Sequence, residues 1–188
     1  MVGRHHVVAN AFALFPLTGV ALAMGERSGM VSTPLVGGGA LELVLGMGLF
    51  MLGALLPDAD TGSSVVGRHV RLPGRHRTWT HSVWVVALLC LGGWYLFRPL
   101  LWLGLGWLVH LLMDSVSRAG ICWLWPLTDC IRYGNGAFVA RNHRVKLYRT
   151  GRGSRSELAV LVVWSALCLV AGVFVVLWWL GVLDASVR

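Results

Sequence analysis

The sequence predicts an all-α, polytopic membrane protein in which a single domain forms a bundle of about five transmembrane helices. Hydrophobic residues make up 56% of the 188 residues, and charged residues make up 13%. That charged fraction is about half of what soluble domains carry. The mean hydropathy is +0.70. The 10 tryptophans suit a chain with many membrane interfaces. This composition excludes a disordered chain and disfavours a water-soluble globule.

Each predicted span is an apolar stretch that can cross a hydrocarbon core of about 30 Å at about 1.5 Å per residue. The spans are residues 7–24, 35–56, 80–97, 99–117 and 158–183, with a long basic loop at 118–157. The first stretch lacks the small-residue cleavage pattern of a signal peptide, so we expect it to be a span. The third and fourth spans are joined at Arg98 and Pro99, which predicts a tight helical hairpin.

Basic residues are distributed unevenly between the two sides of such a bundle. With spans of alternating direction, 13 of the 16 Lys and Arg residues fall on the side of the N-terminus and the two long loops. The other side carries Arg27, Arg98 and Arg188. The positive-inside rule then places the N-terminus in the cytoplasm and the C-terminus outside, in a bacterial or archaeal inner membrane. The net charge of +8 indicates loops that face anionic lipid headgroups rather than a nucleic-acid surface.

The four cysteines predict buried thiols. Cys90 and Cys168 fall inside apolar runs, and seven residues without a CxxC pattern separate Cys122 from Cys130. This spacing disfavours a disulfide framework and a zinc ribbon. We expect thiols that pack as small apolar residues.

Histidine and aspartate residues collect at the cytoplasmic ends of the predicted spans. The set consists of His6, Asp58, Asp60, His76, His81, His110 and Asp114. Such residues are costly at membrane depth, so they are candidates for function. His110 and Asp114 are four residues apart and share one helical face. The remaining histidines, His5, His69 and His143, are interpreted as interface residues, and the remaining acids are Glu26, Glu42, Asp129, Glu157 and Asp184.

Mixed imidazole and carboxylate groups favour a divalent transition metal, with Zn²⁺ first and Mn²⁺ or Fe²⁺ as alternatives. The predicted metal ligands are His6, Asp58, Asp60, His81, His110 and Asp114. This number exceeds the needs of one tetrahedral ion. Either two ions share the site, or some of the residues orient ligands or transfer protons. Asp58, His76 and His81 are the predicted catalytic residues, and His76 could act as a ligand or as a general acid.

Two arginines flank these groups. Arg75 and Arg77 could each hold a phosphate group in a bidentate manner. Positive-inside topology alone explains them equally well.

These residues resemble the YdjM-like family of inner-membrane, metal-dependent hydrolases. The resemblance rests on His6, LLPDAD (residues 55–60), HRTWTHS (76–82) and GWLVHLLMD (106–114), the last running on to Ala119-Gly120 and Trp125-Pro126. It covers about residues 6–126, and the four blocks stand in the family's order. It implies metal-dependent hydrolysis at the membrane and names no substrate.

The chain departs from the family pattern at positions beside these blocks. Arg75 and Thr78 stand where the family often has glycines around its His-Arg pair, and Ser117-Arg118 stands where it often has Thr-Pro. All of the ligand-type residues are kept. The changed positions bear on the choice of substrate more than on the chemistry.

The function that we predict is hydrolysis of a lipid or lipid-linked ester, a phosphoester first, by a metal-activated water at the cytoplasmic membrane face. A metal or ion transporter is an alternative, but the polar groups lie at one face and no inverted repeat is visible. A membrane scaffold with a structural metal is another, and it would have a closed coordination shell. The basic loop leaves a nuclease as the weakest option.

The predicted sidedness can be tested by cysteine labelling in a background without native cysteines. A Gly151→Cys variant should react with an impermeant maleimide only when the reagent reaches the cytoplasmic face, because Gly151 lies in the basic loop. A Ser186→Cys variant is the matched control and should react from outside. The reverse pattern would place the His and Asp cluster on the outer face.

Overall fold

A computed structural model describes residues 3–27, 40–128, 130–132, 138–140, 147–149 and 154–180. The helices in this part of the chain are α1 (Gly3–Arg27), α2 (Ala40–Gly53), α3 (Val83–Tyr95), α4 (Pro99–Ser115) and α5 (Arg155–Trp179). Short 3₁₀ helices at Leu56–Asp60 and Trp79–His81 lie between α2 and α3. Strands β1 (Cys130–Arg132) and β2 (Phe138–Ala140) pair antiparallel. The prediction of a mostly helical protein is confirmed.

The five helices differ in length. Helices α1 and α5 have 25 residues each, or about 38 Å of helix. Within the described residues, Gly3–Leu22 and Arg155–Trp179 are the two stretches long and apolar enough to cross a membrane. Helices α2, α3 and α4 are apolar but shorter, with 14, 13 and 17 residues. The count of five transmembrane helices therefore stays a prediction.

Helices α2 and α3 are shorter than the predicted spans at the ends that face the polar segment joining them. After Gly53 the hydrogen bonds tighten to three-residue spacing, and Pro57 has no N–H to continue a helix. Helix α3 begins at Val83, so the predicted start at residue 80 falls in a 3₁₀ turn instead. Residues 35–39 and 181–183 of the predicted spans, and much of the basic loop, lie outside the described residues.

Helix α4 lies at the centre of the bundle. It packs against α1, α2 and α3, while α5 packs against α1. At Gly106, where α4 meets α2, an added Cβ would overlap the carbonyl oxygen of Phe50. Asn10 of α1 donates through Nδ2 to the carbonyl oxygens of Phe50 at 3.2 Å and Gly106 at 3.1 Å. A small residue at this crossing therefore lets three helices meet, as in membrane helix packing.

The outer surface of α5 is apolar. Val163, Leu167, Val170 and Phe174 are among its exposed side chains. An exposed apolar face of this length is a surface for hydrocarbon rather than for water.

The segments after α4 close one end of the bundle. The Phe138 N–H donates to the carbonyl oxygen of His76 at 3.1 Å, and the Tyr148 hydroxyl donates to that of Met113 at 2.7 Å. Val139 and Tyr148 are buried. Strand β2 and the 147–149 segment therefore lie against the segments that carry the candidate site.

One prediction about the cysteines was wrong. Cys122 and Cys130 form a disulfide with a Cα–Cα distance of 6.2 Å, within the range that a disulfide bridges. The chain turns after Cys122, where the Trp125 N–H donates to the Cys122 carbonyl oxygen and the Leu127 N–H donates to that of Leu124, and sequence spacing does not reveal these turns. Cys90 and Cys168 are free thiols.

The close crossing at Gly106 gives a stability prediction. Gly106→Ala should lower the free energy of unfolding by about 1–3 kcal/mol, because the added methyl group forces the helices apart. The measurement is the thermal unfolding midpoint in detergent. Gly48→Ala in α2 is the matched control, since a Cβ there meets nothing within 4 Å. Equal midpoints for the two variants would contradict this account of the crossing.

Candidate metal centre

Four of the residues predicted from sequence meet at one point. Asp58, His81, His110 and Asp114 each offer a ligand atom, and these atoms lie within 4.8 Å of one another. Asp58 lies on the first 3₁₀ helix, His81 on the second, and the other two on α4. His81, His110 and Asp114 are buried, whereas the Asp58 side chain is 18% exposed. The arrangement is a buried cluster that opens at Asp58.

The end of α2 orients His110. Its Nδ1 lies 2.8 Å from the carbonyl oxygen of Ala54. A carbonyl only accepts, so Nδ1 carries the proton and Nε2 carries the lone pair. Because α2 stops at Gly53, the Ala54 carbonyl can accept this bond from α4.

Two imidazole nitrogens face the carboxylates without a hydrogen-bond partner in the described part of the chain. His81 Nε2 and His110 Nε2 are both buried and unpartnered. They lie 3.5 Å and 3.7 Å from Asp58 Oδ1. Buried polar atoms in proteins almost always have a partner. Two buried imidazole nitrogens without a hydrogen-bond partner beside two carboxylates are the environment that a divalent transition metal satisfies, so these residues fit such an ion.

Arg77 holds the cluster together from the inside. Its Nη2 donates to Asp114 Oδ2 and its Nη1 donates to the Gly120 carbonyl, both at 2.8 Å. Its backbone N–H donates to Asp60 Oδ2 at 3.2 Å. The residue has a φ of 62°, which is uncommon outside glycine. Arg75 is exposed, and phosphate binding stays a prediction for both arginines.

Asp60 lies behind His81 rather than beside Asp58. Its Oδ1 is 2.8 Å from His76 Nδ1, and its Oδ2 accepts from the Thr80 hydroxyl at 2.6 Å. Thr80 Oγ1 is in turn 2.9 Å from His81 Nδ1. Asp60, His76 and His81 form a second group that could hold a metal. It shares His81 with the first.

Comparison with known protein families identifies the family of the chain. The model of the YdjM inner membrane protein family matches residues 1–179. The chain belongs to this family. The predicted resemblance is confirmed, and the match extends beyond residues 6–126 to include α5. No curated protein and no solved structure matches the chain.

In this YdjM-family bundle, His6 lies next to the four-residue cluster. Its ring stacks on that of His110 with centroids 3.8 Å apart, and its Nε2 is 3.3 Å from Asp114 Oδ1. The residue is completely buried, and neither of its nitrogens has a hydrogen-bond partner among the described residues. His6 is therefore within reach of the centre but outside the tightest group.

Burial raises the pKa of Asp58, but attraction to the neighbouring histidines in their protonated form, His110 first among them, lowers it more. The pKa of this carboxyl lies well below its usual range as a result. Asp58 is therefore a carboxylate at neutral pH, the form that binds cations.

The sequence did not predict three partners in and near this site. Thr80 had no predicted role in the site, although it directly precedes His81 in the HRTWTHS block. The Ala54 carbonyl has no signal in the sequence. His5, interpreted as an interface residue, lies with Nδ1 2.6 Å from an Oε1 of the buried Glu157. His69 is exposed, as an interface residue would be, and His143 lies outside the described residues.

Removing the guanidinium inside the cluster should destabilise the fold. Arg77→Gln should lower the free energy of unfolding by about 3–5 kcal/mol, because the buried Asp114 loses its compensating charge. Arg75→Gln is the matched control, and its exposed side chain should change stability by less than about 0.5 kcal/mol. Thermal unfolding in detergent measures both. If the Arg77→Gln variant unfolded at the same temperature as the Arg75→Gln variant, Arg77 would not have the stabilising role given to it.

Proposed function

We propose that this protein is a metal-dependent hydrolase of the inner membrane that cleaves a lipid or lipid-linked ester, a phosphoester first, at the cytoplasmic face. One observation carries the proposal. The buried Nε2 atoms of His81 and His110, unpartnered among the described residues, face two carboxylates in a cluster that opens to solvent at Asp58. Such a site can hold an ion and still admit a water molecule.

Asp58, His81, His110 and Asp114 would hold the metal, with Zn²⁺ first and Mn²⁺ or Fe²⁺ as alternatives. When bound, the ion would acidify a water molecule and stabilise negative charge on the attacked group. We favour one ion over two. The second group depends on Asp60, which already accepts from His76 Nδ1, the Thr80 hydroxyl and the Arg77 N–H.

The charges of the cluster suit an anionic substrate. Two carboxylates, Asp58 and Asp114, are offset by one guanidinium, Arg77. A divalent ion would bring the charge of these three groups to +1, and the Asp60 carboxylate on the far side of His81 would offset it, so the ion itself would be the positive charge that a substrate meets. That charge favours hydroxide and a phosphoester over a neutral molecule.

His76 is positioned to transfer a proton. Its Nδ1 is held by Asp60, and its side chain is 26% exposed. Nε2 is then the nitrogen that can exchange a proton with a leaving group. This fits the predicted role of a general acid.

The segments around the site have the composition of a membrane interface. Their exposed arginines are Arg68, Arg71, Arg75, Arg118, Arg132 and Arg149. Their exposed apolar residues are Val65, Val70, Leu124, Leu127, Ile131 and Leu147. In the sequence, residues 61–78 and 116–149 contain one acidic residue, Asp129. Arginine attracts anionic headgroups and apolar side chains enter the interface, so an anionic lipid is the partner that we propose.

A second candidate is a membrane scaffold with a structural metal. Four protein groups are the number that closes a tetrahedral zinc shell. The exposure of Asp58 favours an open position instead.

The metal can be tested by elemental analysis of the protein purified in detergent. Wild type should contain about one equivalent of a transition metal, and the Asp58→Ala/His81→Ala double variant should lose it. His69→Ala is the matched control and should keep its metal, because His69 is exposed and outside the cluster. A wild type without metal, even after addition of Zn²⁺ or Mn²⁺, would contradict the proposal and direct attention to ion transport.

Hydrolysis separates the two candidates. Phospholipids and lipid phosphates in mixed micelles would be supplied to the metal-loaded protein, and released phosphate or phosphoalcohol would be measured. Turnover in wild type and its loss in the double variant would support the hydrolase. Bound metal that raises the unfolding temperature without turnover of any ester would favour the scaffold.

A further inference from the structure

We infer that Asp60 and Thr80 form a hydrogen-bond relay that fixes the tautomer of His81 and thereby presents its Nε2 to the cluster. Thr80 is thus a positioning residue. The consequence for metal affinity rests on the proposed function. The relay itself is a property of the protein without metal.

The direction of the relay follows from counting protons. Asp60 Oδ2 lies 2.6 Å from the Thr80 hydroxyl and also accepts the Arg77 N–H. A distance of this length is typical of a hydroxyl that donates to a carboxylate. The hydroxyl has one proton, and Asp60 receives it. Toward His81 Nδ1, 2.9 Å away, Thr80 Oγ1 can then only accept.

The acceptor at Thr80 decides which nitrogen of His81 is protonated. Nδ1 must carry the hydrogen, and Nε2 must carry the lone pair. Nε2 is the buried atom 3.5 Å from Asp58 Oδ1 and 3.8 Å from Asp114 Oδ2. The nitrogen facing the carboxylates is therefore the one able to bind a cation.

The two histidines of the cluster are oriented by different devices. The backbone carbonyl of Ala54 orients the His110 ring, and no side-chain substitution removes that carbonyl. The side-chain hydroxyl of Thr80 orients the His81 ring, and a single substitution at Thr80 removes that hydroxyl. His110 is therefore an internal control for any change made at Thr80.

Asp60 orients two histidines at once. While Oδ2 anchors Thr80, Oδ1 lies 2.8 Å from His76 Nδ1. Asp60 is completely surrounded by protein, whereas His76 is partly exposed. A fully engaged carboxylate of this kind acts better as an anchor than as a ligand, so Asp60, predicted as a ligand, is a positioning residue here.

The test uses nitrogen NMR of the metal-free protein in detergent with ¹⁵N-labelled histidine. In wild type, His81 should show a protonated Nδ1 and an unprotonated Nε2. Thr80→Ser keeps the hydroxyl and should give the same spectrum. Thr80→Val removes it and should give a mixture of tautomers or a protonated Nε2, while His110 stays unchanged. A protonated Nε2 in wild-type His81 would overturn the inference without any variant.

Metal affinity gives the second measurement. Zn²⁺ binding, measured by competition with a chelator, should weaken by about 10–100-fold in Thr80→Val and stay near wild type in Thr80→Ser. The expected spectra in a wild type that binds no metal would support the relay and contradict the hydrolase. Wild-type affinity and an unchanged His81 tautomer in Thr80→Val would overturn the relay and leave the metal site standing.

Discussion

The ion pair between Arg77 and Asp114 is the interaction on which the polar end of this bundle depends. Asp114 lies on the central helix, and Arg77 belongs to the segment between α2 and α3. The same arginine reaches the Gly120 carbonyl after α4 and, through its backbone, Asp60. A buried carboxylate without compensation would be costly. The pair therefore connects three parts of the chain and allows acidic groups to be buried in an apolar protein.

The cluster around that ion pair is built by the ends of helices rather than by their middles. Helix α2 ends early and releases the Ala54 carbonyl for His110. The 3₁₀ turn before α3 places His81 beside Thr80 and Asp60. Irregular backbone at the end of a membrane bundle is tolerated where it lies against protein. The shortness of α2 and α3 and the presence of the cluster are thus two consequences of one feature.

The bundle supports the site through close helix contact. Asn10 joins α1 to the backbones of α2 and α4, and His6 lies one turn earlier on the same helix, stacked on His110. Movement of α1 would disturb both contacts. The pair of His5 and Glu157 connects α1 to α5 near the same end. Each of the two long helices therefore has a polar contact close to the cluster.

The sequence by itself determined the helical class, the family, and the meeting of Asp58, His81, His110 and Asp114, because apolar runs of alternating direction bring these residues to the same end of the bundle. Only the tertiary structure decided what each group does there. From sequence, Arg77 was a phosphate-binding candidate or a topology charge, and Asp60 was a ligand like Asp58. The burial and the hydrogen-bond partners of Arg77 and Asp60 show what each residue does. Both properties depend on neighbours that are distant in the chain. The Cys122–Cys130 bond has the same origin, since spacing does not reveal a fold-back.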